Sequence, residues 1–199
     1  MAISATDRFD GRVLELVNEE RAKFNLNTLT LSEKLDTAAD LYSRDLALND
    51  YFDHTGRDGS SPGDRIEKAG YTLWTTWGEN IAAGYVTPES VVQAWIDSPD
   101  HRANILNADF THMGLGYTFL ANDEGKINFQ SYWAQDFGAG DPDPGQYIAQ
   151  NDLSPPIYTT IKGTKKKDEL TGDFANNIIN GYAGDDLLRG KEGDDQLFG

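Results

Sequence analysis

The C-terminal part of the chain, residues 159–199, repeats with a period of nine residues. One apolar residue holds the same place in each copy: Ile161, Leu170, Ile179, Leu188 and Leu197. A glycine follows two positions later in each copy: Gly163, Gly172, Gly181, Gly190 and Gly199. Glycine adopts positive φ without a steric penalty, so each copy can turn sharply. Since one copy is too short to bury its own apolar residue, the period predicts copies that stack and share a thin core.

An acid or amide stands two positions before the apolar residue in four copies, at Asp168, Asn177, Asp186 and Asp195. These side chains offer the hard oxygen atoms that Ca²⁺ prefers. The pattern resembles the RTX nonapeptide of calcium-binding parallel β-rolls. The alternative is an acidic, glycine-rich flexible tail. Such a tail does not keep an apolar residue and a glycine in phase over successive copies, so we favour the roll.

The resemblance implies a short parallel β-roll in which successive copies lie on alternate sides. The turn ending at Asp168 is then expected to stack under the turn ending at Asp186, and the turn ending at Asn177 under that ending at Asp195. Calcium is expected between stacked turns. The expected ligands are side chains and nearby backbone carbonyls at Asp168, Asn177, Gly181, Ala183, Asp186, Gly190, Glu192 and Asp195.

Composition excludes several classes of protein. The net charge of −16 disfavours binding to nucleic acid and to anionic membranes. The chain has no cysteine, so disulfides cannot stabilise it. The N-terminus lacks the apolar segment of a cleaved signal peptide, and no stretch of sequence is apolar enough to span a bilayer.

The resemblance to RTX proteins nevertheless implies an extracellular protein. Calcium sites of extracellular modules have dissociation constants on the order of 10⁻⁴–10⁻³ M, which is too weak for cytosolic calcium. RTX-like proteins leave bacteria unfolded through a one-step, type I export machinery that reads a C-terminal signal. This route requires no cleaved N-terminal signal peptide, and we expect the repeats to continue beyond Gly199.

The preceding residues have the pattern of an α+β domain. Apolar residues at helical spacing and capping signals predict helices over residues 9–24, 32–48, 62–69 and 88–98. Residues 71–86 are expected to be a strand or an extended loop, and residues 113–120 and 126–137 to form a hairpin. The prolines that follow predict a linker or wrap-around segment. The expected domains are residues 1–138, the linker 139–158 and the repeats 159–199.

Six segments of residues 1–138 form one recognisable order: Tyr51–Gly56, Asp64–Tyr71, Gly78–Gly84, Ala94–Arg102, Met113–Tyr117 and Tyr132–Gly138. Two of them, Gly-Glu-Asn-Ile-Ala and Trp-Ile-Asp-Ser-Pro-Asp-His-Arg, are specific in combination. The order resembles the CAP superfamily of cysteine-rich secretory proteins, antigens and pathogenesis-related proteins, in its bacterial SCP-like form. The resemblance implies an α-β-α sandwich with a surface cleft.

In many members of that superfamily the cleft holds two histidines and two glutamates that can bind a divalent metal. The positions that match in this chain are His54, Glu79 and His101, while Ser98 stands at the position of the second glutamate. Two imidazoles and one carboxylate form an open, zinc-like set, so Zn²⁺ is a possible cofactor besides Ca²⁺. The alternative is that the two histidines are hydrogen-bonding residues of the cleft wall. We expect His112 to be a plain surface residue.

Three functions are consistent with these features. The first is a secreted binding module whose cleft holds a metal, a lipid, a peptide or another small molecule. The second is a metal-dependent or acid–base hydrolase in which His54, Glu79 and His101 are catalytic. The third is a matrix or surface-layer protein that carries the CAP-like domain passively. Since the chain has no His-Glu-x-x-His motif and no recognisable nucleophile motif, we favour the binding module.

Overall fold

The computed structural model describes residues 5–120, 123–142, 159–172, 177–190 and 196–199 of the chain. The chain divides into two compact units, Met1–Asn151 and Asp152–Gly199. Most of the predicted linker, residues 139–158, lies outside the described residues, so its boundaries remain predictions. None of the helices in the described ranges combines the length and the apolar character needed to cross a membrane.

The first unit contains five helices and four strands within its described residues. In chain order they are α1 (Ala5–Ala22), β1 (Thr30–Leu31), α2 (Glu33–Leu48), α3 (Pro62–Lys68), β2 (Thr76–Ala83), α4 (Pro88–Asp97), α5 (Pro99–Ile105), β3 (His112–Phe119) and β4 (Ser131–Ala139). The predicted helices and the predicted hairpin of β3 and β4 are confirmed. Residues 71–86, which were expected to be a strand or an extended loop, contain β2.

Local sequence signals fix where the helices begin. Ser32 caps α2, since its hydroxyl accepts a hydrogen bond from the amide of Leu35 at 3.3 Å. A capping box and a proline in the first turn begin both α3 and α4. The start of α3 matters for the cleft, because this short helix carries one of its charged side chains.

The four strands form one sheet in the order β1-β3-β4-β2, in which only the pair of β1 and β3 is parallel. Side chains alternate along β4, so Trp133 and Phe137 pack with α1 and α4, while Tyr132 and Ala134 pack with α2. The sheet therefore lies between two layers of helices. This is the α-β-α sandwich expected from the sequence, and β2 is its edge strand.

Five short parallel strands make up the described part of the second unit. They are β5 (Thr159–Lys162), β6 (Glu169–Thr171), β7 (Asn177–Asn180), β8 (Leu187–Arg189) and β9 (Gln196–Phe198). β5, β7 and β9 form one sheet, and β6 and β8 form a second. Ile161 pairs with Ile179, which pairs with Leu197, and Leu170 pairs with Leu188. The strands thus pair with every second copy, as predicted for a short β-roll.

Candidate ligand-binding cleft and calcium roll

A cluster of charged side chains in the first unit surrounds Glu79 of the edge strand β2. The Glu79 side chain is completely buried, and one of its carboxylate oxygens lies 2.7 Å from Nδ1 of His54. The other oxygen accepts a hydrogen bond from Arg65 of α3 at 2.6 Å. A buried carboxylate requires such partners, because an unpaired charge away from water is costly. The structure therefore joins a loop, a helix and a strand through one carboxylate.

His54 lies in the loop after α2, and half of its side chain is exposed. The hydrogen bond from its Nδ1 to Glu79 raises the pKa of His54 above its ordinary value, against the opposing effect of burial. The loop is held by the Tyr42 hydroxyl, which donates to the carbonyl of Asp53 at 2.5 Å. Within the described residues, no hydrogen bond involves Nε2 of His54.

Arg65 has a role that the sequence analysis did not assign. Besides Glu79, its guanidinium donates to the carbonyls of Ser60 and His54, each at 3.0 Å, and lies over the ring of Tyr42 at 3.3 Å from the centroid. It neutralises Glu79 and holds the loop of His54 against α3. The sequence shows an arginine in the segment Asp64–Tyr71, but it contains no signal that this arginine pairs with Glu79.

Asp136 of β4 is a second residue that the sequence analysis missed. It is the direct cross-strand partner of Glu79 and is 1% exposed. Within the described residues, neither of its carboxylate oxygens has a hydrogen-bond partner. Burial, together with the charge of Glu79, raises the pKa of Asp136 well above its ordinary value. The structure therefore favours the protonated form of Asp136 more strongly than water does.

His101 of α5 lies beside a mostly apolar pocket of about 300 Å³ at the β2 edge. The pocket is lined by its imidazole, by Ser98 and by aromatic side chains that include Phe52, Trp95 and Phe129. Burial, and then the charge of His54, lower the pKa of His101, so this ring is neutral while His54 is the more basic one. The described residues show no hydrogen bond from the His101 side chain to His54 or Glu79.

The geometry does not support the zinc-like set of His54, His101 and Glu79. No group of three His, Asp or Glu side chains within the described residues is arranged to hold a metal ion. Both oxygens of Glu79 are already engaged, one by His54 and the other by Arg65. His112, expected at the surface, is instead partly buried and lies 2.9 Å from the Tyr71 hydroxyl through its Nδ1. His112 is less exposed than expected because Tyr71 packs against it.

In the second unit, the turns that end at Asp168 and Asp186 stack as predicted. The amide of Asp168 donates to the Asp186 carboxylate at 2.9 Å, and the amide of Leu187 donates to the carbonyl of Asp168 at the same distance. The other carboxylate oxygen of Asp186 is buried without a hydrogen-bond partner among the described residues. This oxygen fits a cation, because a buried, unsatisfied carboxylate is otherwise costly.

Backbone oxygen atoms approach the same place. A Cβ atom at Gly163 would lie 2.9 Å from the Asp168 carboxylate and 2.9 Å from the carbonyl oxygen of Gly181. The described residues thus bring Asp168, Gly181 and Asp186 of the predicted calcium set together. Asn177 begins β7, Ala183 is exposed in its turn and Gly190 follows β8. Glu192 and Asp195 lie outside the described residues.

Comparisons with known proteins agree with both halves of the chain. The family model of the cysteine-rich secretory protein family (CAP) matches residues 14–137. The model of the RTX calcium-binding nonapeptide repeat matches residues 162–199. The protein YkwD of Bacillus subtilis (strain 168) is 40% identical over 136 residues, which are 68% of this chain and 49% of that protein. The chain thus matches about half the length of this relative.

Two solved structures are similar in fold. An extracellular protein containing a SCP domain from Bacillus anthracis str. Ames has 27% identity and a TM-score of 0.57, over 67% of this chain and 41% of that one. An outer surface protein from Borrelia burgdorferi has 26% identity and a TM-score of 0.57, over 64% of this chain and 90% of that one. These neighbours are extracellular or surface proteins of bacteria.

Proposed function

The chain belongs to the cysteine-rich secretory protein (CAP) family and carries RTX calcium-binding repeats, and from this premise we propose that it is an extracellular bacterial binding protein. The cleft around His54, Glu79 and His101 binds a small ligand, and the calcium roll folds only after export. The extracellular location is supported by the two structural neighbours, of which one is an extracellular protein and the other an outer surface protein. The repeats support it independently, since they suit millimolar calcium.

The observation that carries the binding function is an apolar pocket with a histidine in its wall. His101 and mainly aromatic and aliphatic side chains line this pocket of about 300 Å³. The charge of His54, which the buried Glu79 holds, acts on His101 and lowers its pKa. Pockets of this kind bind ligands by burying an apolar group and fixing it with a few polar contacts. The best ligand is a small molecule with an apolar chain and a hydrogen-bond-accepting or anionic head.

Hexanoate and its neutral analogue hexanamide test this proposal. Each is titrated into the full chain at about pH 6, where His54 is largely protonated, while the histidine ring resonances are followed by NMR. We expect hexanoate to shift the signals of His54 and His101 but not that of His112. Replacement His54→Ala should reduce hexanoate binding to the level of hexanamide. Equal shifts at all three histidines, or no saturable shift, would contradict the proposal.

The role of the calcium roll in export follows from its charge and sparse core. At the low calcium concentration of the cytosol, the clustered carboxylates of the repeats repel one another, so the repeats remain unfolded in the cytosol. A one-step exporter can then pass it, and calcium outside the cell folds it. Disruption of the type I exporter in the native bacterium tests this route. The protein should then accumulate in cells, and undiminished appearance in the medium would exclude type I export.

An acid–base hydrolase is the second candidate. The contact of 2.7 Å between His54 and the buried Glu79 favours it, because a carboxylate that orients an imidazole is a recurrent arrangement for general base catalysis. This candidate mechanism gives no role to a metal ion, since the two carboxylate oxygens of Glu79 already contact His54 and Arg65. A panel of peptide and ester substrates tests it. Turnover lost in His54→Ala but retained in His112→Ala supports a hydrolase, whereas absence of turnover in the wild type excludes one for that panel.

A further inference from the structure

A groove between α2 and α3 is a cavity that the cleft does not use. Its volume is about 690 Å³, against about 300 Å³ for the pocket beside His101, and the two cavities share no lining residue. One wall is a stripe of α2 at four-residue spacing, formed by Thr37, Leu41, Asp45 and Asn49. The opposite wall comes from α3 and from the loop before it. The volume of the groove lies within the range of about 300–1,000 Å³ that is typical of small-molecule sites.

Apolar side chains also line the groove. Leu41 is 55% exposed, although the neighbouring face of α2 is buried against the sheet. Ala38, Ala69 and Tyr42 line the same groove, and Arg65 lies over the Tyr42 ring. An exposed leucine inside a concave surface offers an apolar ligand group a place to be buried.

Charges of both signs line the same groove in equal number. The acids are Asp45, Asp58 and Asp64, and the bases are Arg57, Arg65 and Lys68. This balance is local, because the whole chain has 33 acidic and 17 basic residues. A groove with fixed charges of both signs complements a zwitterion better than a simple anion or cation.

Local hydrogen bonds fix two of the acidic groups. Asp58 accepts from the amide of Ser60 at 2.9 Å, and Asp64 accepts from the amide of Ser61 at 2.8 Å. The side chains of Ser60 and Ser61, and then these amides, lower the pKa of both carboxyl groups. On the basic side, Arg65 is engaged by Glu79, whereas Lys68 has no carboxylate within ion-pair distance in the described part of the chain. Lys68 is therefore available to an incoming carboxylate.

From these features we infer that the groove binds a short peptide with free ends. Its terminal ammonium faces the fixed carboxylates, its terminal carboxylate faces Lys68 and Arg57, and an apolar side chain rests on Leu41. The site does not depend on the proposed cleft function, since the two cavities have separate linings. Arg65 is left unchanged in the tests because it also holds Glu79.

The dipeptide Leu-Leu and two blocked forms test this site by calorimetry on the full chain. N-acetyl-Leu-Leu lacks the ammonium, and Leu-Leu-amide lacks the carboxylate. We expect Leu-Leu to bind saturably and each blocked form to bind about fivefold more weakly, which corresponds to the loss of one exposed ion pair. Lys68→Gln should remove the difference between Leu-Leu and its amide but keep the difference caused by acetylation.

Matched variants separate the groove from the cleft and from general surface effects. Leu41→Ser should weaken Leu-Leu binding, while Leu48→Ser, at an equally exposed leucine of α2 outside the groove, should not. His54→Ala should leave Leu-Leu binding unchanged even where it removes hexanoate binding. The inference is overturned if Leu-Leu shows no saturable binding, if all three peptides bind equally, or if Leu41→Ser and Leu48→Ser behave alike.

Discussion

Glu79 determines the charge state of the cleft at the scale of single residues. It is the buried group that both His54 and Arg65 contact, so the protonation of His54 depends on it directly. Because the pKa of His54 is raised in the folded protein, the contribution of this contact to stability is complete below the unfolded pKa of about 6.5. It is lost as the pH rises through the folded pKa.

The first prediction concerns the replacement Glu79→Gln. The amide keeps the shape of the side chain but removes its charge, so the pKa of His54 should fall towards its ordinary value. An NMR titration of the His54 ring measures this change, and Glu19→Gln at an exposed position of α1 is the control. An unchanged His54 titration in Glu79→Gln would show that the hydrogen bond does not set the pKa.

The second prediction concerns Asp136, whose pKa is raised by burial next to Glu79. An acid with a raised folded pKa contributes stability below its unfolded pKa of about 3.9, and this contribution decreases as the pH rises towards the folded pKa. The decrease is about 1.4 kcal/mol per pH unit for one proton. Asp136→Asn should therefore stabilise the protein relative to wild type at pH 7 but not at pH 4.

Urea unfolding at a series of pH values between these limits tests the behaviour of Asp136. The groups that face it are Glu79 on β2, Asp36 on α2 and Arg65 on α3, and Asp36→Asn serves as the comparison. Asp36 accepts from the amide of Leu115 at 2.8 Å, and asparagine keeps this bond but without the charge that strengthens it, so Asp36→Asn should destabilise the protein slightly at neutral pH. If the wild type and Asp136→Asn have parallel pH profiles, the pKa of Asp136 is not raised by burial.

At the scale of elements, the contact of α2 with β3 depends on two glycines. A Cβ atom at Gly114 would lie 2.1 Å from the carbonyl carbon of Leu35, and one at Gly116 would lie 2.2 Å from that of Ala39. Helix α2 can therefore approach the sheet closely only where these strand residues lack side chains. This approach brings Tyr42 under the loop of His54, so the packing of α2 also shapes the cleft.

The third prediction is that Gly114→Ala destabilises the first unit by about 1–3 kcal/mol, the usual cost of forcing extra volume into a packed contact. Gly11→Ala is the matched control, because nothing lies within 4 Å of a Cβ atom there. In helix α1 that change should be neutral or stabilising by about 1 kcal/mol. Thermal unfolding of both variants measures the difference. Similar losses in the two variants would show that the α2 contact is not as close as described.

At the scale of the whole molecule, the two compact units are stabilised by different means. The first unit has buried apolar clusters on both faces of its sheet. In the described part of the second unit, Ile179 is the one apolar residue that is fully buried. A unit with so small a core needs bound ions to remain folded. The two units should therefore respond differently to calcium.

The fourth prediction is that millimolar calcium increases the strand content of the full chain and protects residues 159–199 from proteolysis, with little change in the first unit. Asp186→Ala should reduce this effect, because the buried oxygen of Asp186 lacks another partner. Asp185→Ala is the control, since Asp185 is exposed in the same turn. Circular dichroism and limited proteolysis measure both. If the two variants respond to calcium alike, Asp186 is not a ligand.

The sequence by itself determined the periodic and local features of this protein. The nine-residue period predicted stacked copies, because glycine, acid and apolar residue must recur in phase for turns to stack. Its resemblance to RTX β-rolls implied parallel strands that pair with every second copy, which the structure shows. Capping residues and apolar spacing located the helices, since these signals act within one or two turns of chain. The motifs at His54, Glu79 and His101 identified the family and the region of the cleft.

Only the tertiary structure decided how the charged groups of the cleft are paired. Arg65 reaches Glu79 because α3 packs over the edge strand, and Asp136 lies beside Glu79 because of the antiparallel register of β2 and β4. Neither relation follows from spacing along the chain, since pairing of buried charges depends on contacts between distant segments. This pairing engages both oxygens of Glu79. The residue expected to bind a metal therefore forms ion pairs with His54 and Arg65 instead.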